Sequence, residues 1–215
     1  MPFYMGINET RYGFMDEGWA TTFEILIGRS DLGIEEAEDV FKKFRVNGWI
    51  NDPSPGQDVP IVGPGDNMTG DALGNNEYAK AALGYLAMKD LLGDELFKKC
   101  LQEYMDRWHG KHPIPWDFFF TFNDVTKKNL NWFWSNWFFS HNYIDLAIKS
   151  TSRSGNNYSK TIENIGGMPA PVNFIASYSD GTKESFHQTP IIWQTNQRQA
   201  TVKISPKKKI ASIDL

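Results

Sequence analysis

The sequence predicts an α+β chain in two parts, helical over residues 1–140 and an antiparallel β-sandwich over 141–215. Two observations carry this. Apolar residues recur at three- and four-residue spacing in the first part, and at every second residue after Tyr143, between clusters of Gly, Pro, Asn and Asp. The total of 215 residues is enough for one large domain or two small ones, each with a core of its own.

The elements follow in order. Phe14, Met15, Trp19, Phe23, Leu26 and Ile27 mark a first helix. A second helix, Ile34 to Val46, starts after Asp31-Leu32-Gly33, with Glu35, Glu36 and Glu38 placed to meet the positive end of its dipole. Asp52 to Asn76 is rich in Pro and Gly, has little periodicity and reads as one long loop. Helical patterning resumes at Glu77 and stops near Gly93, where Asp94 is placed to cap the next helix, ELFKKCLQEYMDRW. IPWDFFFTFNDVTKK and LNWFWSNWFFS predict two further short helices, so aromatic that they must pack against several neighbours; the Trp132 to Phe139 stripe is expected to sit between the two parts. Seven short strands then follow: IDLAIKST, SKTIENIG, PVNFIASY, TKESFH, PIIWQT, QATVKIS and KIASIDL, with Asp180-Gly181 as a hairpin signal.

Composition narrows the partners. Lys and Arg total 22 against 26 Asp and Glu, a net charge of -4 that gives no general attraction to nucleic acid or an anionic membrane. Cys100 is alone, which excludes an internal disulfide and a cysteine-based zinc cluster. No run of about 18 apolar residues suggests a membrane span. His109 and His112, beside Pro113, read as a polar helix terminus, and DNMTGDALGNNE falls out of register with a calcium loop.

The segment NETRYGFMDEGWATTFE sets an Asp-Glu pair into a helix with a greasy face. Glu17 and Glu24 stand about two turns apart and so project to nearly one side, beside the small residues Gly13, Ala20 and Thr21. Burying an ionised carboxylate without a partner costs several kcal/mol, so Glu17 next to Trp19 calls for solvent, a basic partner or a metal.

FMDEGWATTFE resembles the segment that carries the third zinc ligand in the zinc aminopeptidases often called M1, of the HExxH gluzincin group. The resemblance implies that Glu17 ligates zinc and that Glu24 hydrogen-bonds a zinc-binding histidine, fixing its tautomer. EYAKAALGYLAMKDLLGDELFKKCLQEYMDRW is similar to the family's Tyr-x-Lys-Gly helix pair, which makes Tyr78 the catalytic tyrosine, donating to the oxyanion formed at the scissile carbonyl. Ala81 stands where the family usually has Gly, which raises the question of how closely another backbone approaches there. DFFFTFNDVTKKNLNWFWSNWF and IENIGGMPAPVNFIASYSDGTKESF resemble the helices and the β-sandwich that follow in many members. The implied fold is the helical part of a thermolysin-like catalytic domain followed by the sandwich.

A catalytic zinc site of this type takes three protein ligands and a water. Here His109, His112, His141 and His187 form no HExxH. In the family the second histidine of that motif lies about eighteen residues before the glutamate, which from Glu17 falls just upstream of Met1. The resemblance therefore implies a C-terminal portion of a peptide-hydrolysing enzyme, whose partner is the missing N-terminal part of the same protein. Alone it is expected to be inactive, with an uncovered groove beside Glu17 prone to self-association. The alternative is a peptidase-derived interaction module without chemistry. Single-cysteine usage fits cytosol and bacterial envelope equally, and the motif style leans to an envelope or secreted protein.

Overall fold

The computed structural model describes residues 2–50 and 59–215, apart from the side chains of residues 2, 3 and 49. The opening of the predicted Pro/Gly loop, through residue 58, lies outside the described residues. The chain divides into two compact units, Met1–His141 and Asn142–Leu215. The first is helical and the second holds two antiparallel sheets, so the chain is α+β.

In the helical unit, short helices α1 (Pro2–Met5) and α2 (Glu9–Tyr12) lead through a 3-10 turn, Gly13–Met15, into α3 (Glu17–Asp31). Gly33, at φ 89, turns the chain into α4 (Ile34–Phe41), a backbone angle that only glycine takes without strain. The helical path does not stop at Val46, as the sequence suggests. It widens into a π turn, Lys42–Val46, and continues as α5 (Asn47–Ile50).

The predicted loop also ends earlier than expected. Thr69 caps α6 (Gly70–Leu73), its hydroxyl accepting the Ala72 N–H at 3.2 Å, and a π turn, Gly74–Lys80, carries the chain into α7 (Ala81–Leu92). Gly93, at φ 76, separates α7 from α8 (Asp94–Trp108) and occupies the cap position itself, leaving Asp94 in the first turn. Pro115 opens α9 (Pro115–Thr126), where the Asp117 carboxylate accepts the Ile114 N–H at 2.9 Å. The last helix is α10 (Asn131–Phe138).

Aromatic rings form the core of this unit. Trp19 of α3 stacks on Tyr85 of α7 at 3.9 Å, and Phe118 of α9 meets both edge-on at 5.6 and 5.7 Å. The Tyr85 hydroxyl donates to the Phe14 carbonyl at 3.2 Å, which satisfies a fully buried phenol and anchors the turn before α3. The stripe expected between the two parts supplies Phe133, Trp134, Trp137 and Phe138 to the buried core, and Trp134 packs on Phe119 of α9 at 4.9 Å, within the helical unit.

In the second unit, strands β1 (Leu146–Ser154), β2 (Asn157–Asn164) and β5 (Gln199–Ile204) form one sheet in the order β1-β2-β5. Strands β3 (Val172–Tyr178), β4 (Lys183–Gln188) and β6 (Ile210–Asp214) form the other, in the order β4-β3-β6. Ile162, Val202 and Ile204 of the first sheet and Val172, Phe174 and Ala176 of the second are buried, and the Lys160 ammonium lies 5.9 Å from the Phe174 ring centre. PIIWQT, predicted as a strand, is instead a 3-10 turn, Pro190–Trp193. Pro190 lacks the N–H a ladder needs, and Trp193 is buried with its indole N–H on the Ala170 carbonyl at 2.7 Å.

Candidate functional site

Two segments of the helical unit converge on one group of carboxylates. Glu17 is the first residue of α3, half-buried, where unpaired N–H groups favour a negative charge. Tyr78 comes from the π turn before α7, an irregularity found often at functional sites. The Tyr78 hydroxyl lies close to the Glu17 side chain, which can accept its proton as a hydrogen bond. Burial first, then that contact and the charges of Glu17 and Glu77, push the phenol up to about 12, so it is a neutral donor at ordinary pH.

Sequence reasoning singled out neither Glu77 nor Arg45. Glu77 is 4% exposed and its Oε1 has no hydrogen-bond partner among the described residues. Burial, and after it the charge of Glu17, push its carboxyl up to about 7. Asp16 also rises to about 7, through burial, a side-chain hydrogen bond with Glu9, and the charges of Glu9 and Glu17. The signal for Glu77 was partly visible: Gly13 marks room on the face that carries Glu17, and the Glu77 carboxyl fills that room.

Glu24 lies one side away, on the exposed stretch of α3. Its carboxylate accepts from Arg45 Nη2 at 3.1 Å, and the same guanidinium lies 5.2 Å from the Tyr78 ring centre. Arg45 thus joins Glu24 to Tyr78 across α3, the π turn after α4 and the π turn before α7. A cavity of about 390 Å³ opens beside Arg45, lined also by Phe44, Gly48, Asp71, Gly74 and Asn75. His109 and His112 stand elsewhere: His109 stacks on Tyr4 at 5.2 Å, and His112 Nδ1 lies 2.8 Å from the Gly6 carbonyl.

The fit to zinc can be tested on these donors. No group of three or more His, Cys, Asp or Glu side chains suited to a metal ion occurs among the described residues. The charge of Glu17 instead raises the cost of ionising Glu77, an electrostatic setting that a positive ion at Glu17 would relieve. The described residues here offer one half-buried carboxylate and one neutral hydrogen-bond donor, fewer than the three protein ligands a catalytic zinc takes.

No family model matches the sequence, and no curated protein matches it. The fold does have solved counterparts. One is a crystal structure of Legionella pneumophila aminopeptidase A in complex with aspartic acid, matched at a TM-score of 0.61 over 94% of this chain with 14% sequence identity. The chain spans 23% of the length of that protein. The likeness establishes a shared fold with part of a peptidase. No described helix is long and apolar enough to cross a membrane.

Proposed function

We propose that this chain is the C-terminal portion of a zinc-dependent aminopeptidase of the M1 type, with a thermolysin-like helical half-domain followed by a β-sandwich. The observation that carries the reading is that the fold brings the Tyr78 hydroxyl close to the Glu17 side chain, residues 61 positions apart that the resemblance independently names as oxyanion donor and zinc ligand. The fold shared with part of an aminopeptidase supports it.

In this reading Glu17 holds the ion, and the remaining ligands and the general base come from an HExxH segment outside these 215 residues. When bound, zinc supplies an acidified water and a Lewis acid for the scissile carbonyl. Tyr78 keeps its proton and donates it as a hydrogen bond to the carbonyl oxygen as negative charge develops there, turning from Glu17 to substrate. Glu24 exchanges Arg45 for a histidine of HExxH and holds that ring in its ligating tautomer. Peptides are the substrate class, and the fragment by itself is inactive.

The test is a pair of variants in the protein that carries both this region and HExxH. Glu17→Ala is expected to lower zinc content and peptide hydrolysis together. Tyr78→Phe is expected to keep zinc and lose roughly 100- to 1,000-fold in turnover, the scale for removing one oxyanion donor. Full activity in the tyrosine variant removes that role. Unchanged zinc content in the glutamate variant leaves the non-catalytic interaction module as the better reading.

A further inference from the structure

Glu77 is a buried acid that the reaction above does not use, and its surroundings are unusually tight. A Cβ built on Gly13 would lie 2.1 Å from one Glu77 carboxyl oxygen and 2.6 Å from the other; one on Gly65 would lie 2.7 Å from Oε1. Real Cβ atoms do not approach so closely. Neither glycine has a positive φ, so what each position requires is space, not backbone freedom. The main chain of residue 77 is gripped as well, since a Cβ on Gly18 would stand 3.2 Å from the Glu77 carbonyl oxygen. Residue 77 therefore touches the chain on both sides of Glu17 and is itself bonded to Tyr78.

We propose that Glu77 is the positioning residue of this site: its carboxyl, seated between Gly13 and Gly65, fixes the place of Tyr78 relative to Glu17. This rests on the reading of Glu17 and Tyr78 as the working pair. Gly13 opens the 3-10 turn that feeds α3, and Gly65 opens the short turn Gly65–Asn67. The side chain thus spans three stretches distant in sequence, and two of them carry the pair. Burying a carboxyl oxygen without a hydrogen bond costs stability. Among the described residues no hydrogen bond to Oε1 offsets that cost, so its role is that of a spacer whose shape matters. A glutamine has the same shape and keeps the seat filled; an alanine empties it and lets the two segments close or slide.

The experiment reads the Tyr78 hydroxyl directly in the 215-residue chain, through the ring-carbon NMR signal next to the hydroxyl in a tyrosine-labelled sample. The signal is assigned with Tyr78→Phe, and Glu17→Gln reports its position with the acceptor charge removed. Glu77→Gln is expected to leave the Tyr78 signal near its wild-type position, while Glu77→Ala moves it to or beyond the Glu17→Gln position with the helical circular dichroism retained. An unmoved signal in folded Glu77→Ala overturns the proposal, and so does a Glu77→Gln shift as large as that of Glu77→Ala, which would make the effect one of charge. Should Glu77→Ala fail to fold, Gly65→Ala pushes the same carboxyl from the other side: movement supports the role and no movement ends it. None of these readings needs zinc or turnover, so failure of the peptidase reading is seen separately, as unchanged zinc content in Glu17→Ala.

Discussion

Gly18→Ala measures how tightly α3 and α7 are locked beneath the site. The added methyl would lie 2.7 Å from the Ala81 Cβ, 3.0 Å from Tyr85 Cε2 and 3.2 Å from the Glu77 carbonyl oxygen. Two of those three neighbours are fixed by the backbone and cannot rotate away. The third is the ring stacked on Trp19 at 3.9 Å, which has no free space behind it because Phe118 and Phe138 pack there. Helix propensity alone favours alanine over glycine by about 1 kcal/mol. Overpacking a close-packed contact costs about 1–3 kcal/mol, and this contact belongs near the upper end. The expected net loss is about 1–2 kcal/mol, or roughly 3–8 °C in Tm for a unit of this size, read by thermal and urea unfolding followed by far-UV circular dichroism. Adding Ala81→Gly removes the closest clash, so the double variant should be within about 1 kcal/mol of wild type although Ala81→Gly alone costs about 1 kcal/mol. A Gly18→Ala chain more stable than wild type, or strict additivity of the two changes, would refute the close-packing argument.

Three further outcomes follow. Glu77 has an ordinary value of 4.5 raised to about 7 in the folded chain, so its contribution to stability is complete below 4.5 and is lost as pH rises through 7; the urea midpoint should fall between about pH 4.5 and 7, and Glu77→Gln should remove part of that fall, the rest belonging to Asp16, which is also raised to about 7. Phe118→Ala, at a fully buried ring that meets Trp19, Tyr85, Tyr104, Phe119, Phe122 and Trp134, should cost about 3–5 kcal/mol in denaturant unfolding of the helical unit. In the β unit, Asn164→Ala should cost about 1–3 kcal/mol, because the buried amide donates to the Met168 and Gln197 carbonyls, both at 3.0 Å, and accepts the Gly167 N–H at 2.8 Å; loss of protection at the Gly167 amide in hydrogen exchange checks the cause.

The periodicity of apolar residues located most elements because it records burial, and burial follows that period in most of them. Phe14, Met15 and Trp19 of the first predicted helix are buried as their spacing predicts, whereas Ile27 of the same set is exposed. Where packing is non-local the sequence is less readable. PIIWQT alternates like a strand, yet Trp193 is claimed by a carbonyl 23 residues away in the chain. The start of α6 was hidden by the glycines around it, although Thr69 is an ordinary cap signal. Glu17 and Tyr78 were nameable from motif likeness alone. Glu77 was not, because a glutamate next to a tyrosine in a helical segment reads as solvated until Gly13 and Gly65 are brought against it. The question about Ala81 has a structural answer: the close approach occurs, and the glycine that permits it is Gly18 on the opposite helix.

The wide turn from Gly74 to Lys80 carries a consequence for how this region tolerates insertions and deletions. A π turn holds one residue more than the α-helix on either side would use, and each residue of an α-helix advances the side chains by about 100° around the axis. Loss of any single residue between Thr69 and Glu77 would let the segment relax to regular winding and swing the phenol away from the carboxylate without altering either amino acid. The alignment of the pair is therefore encoded in the length of the polypeptide as well as in its lettering.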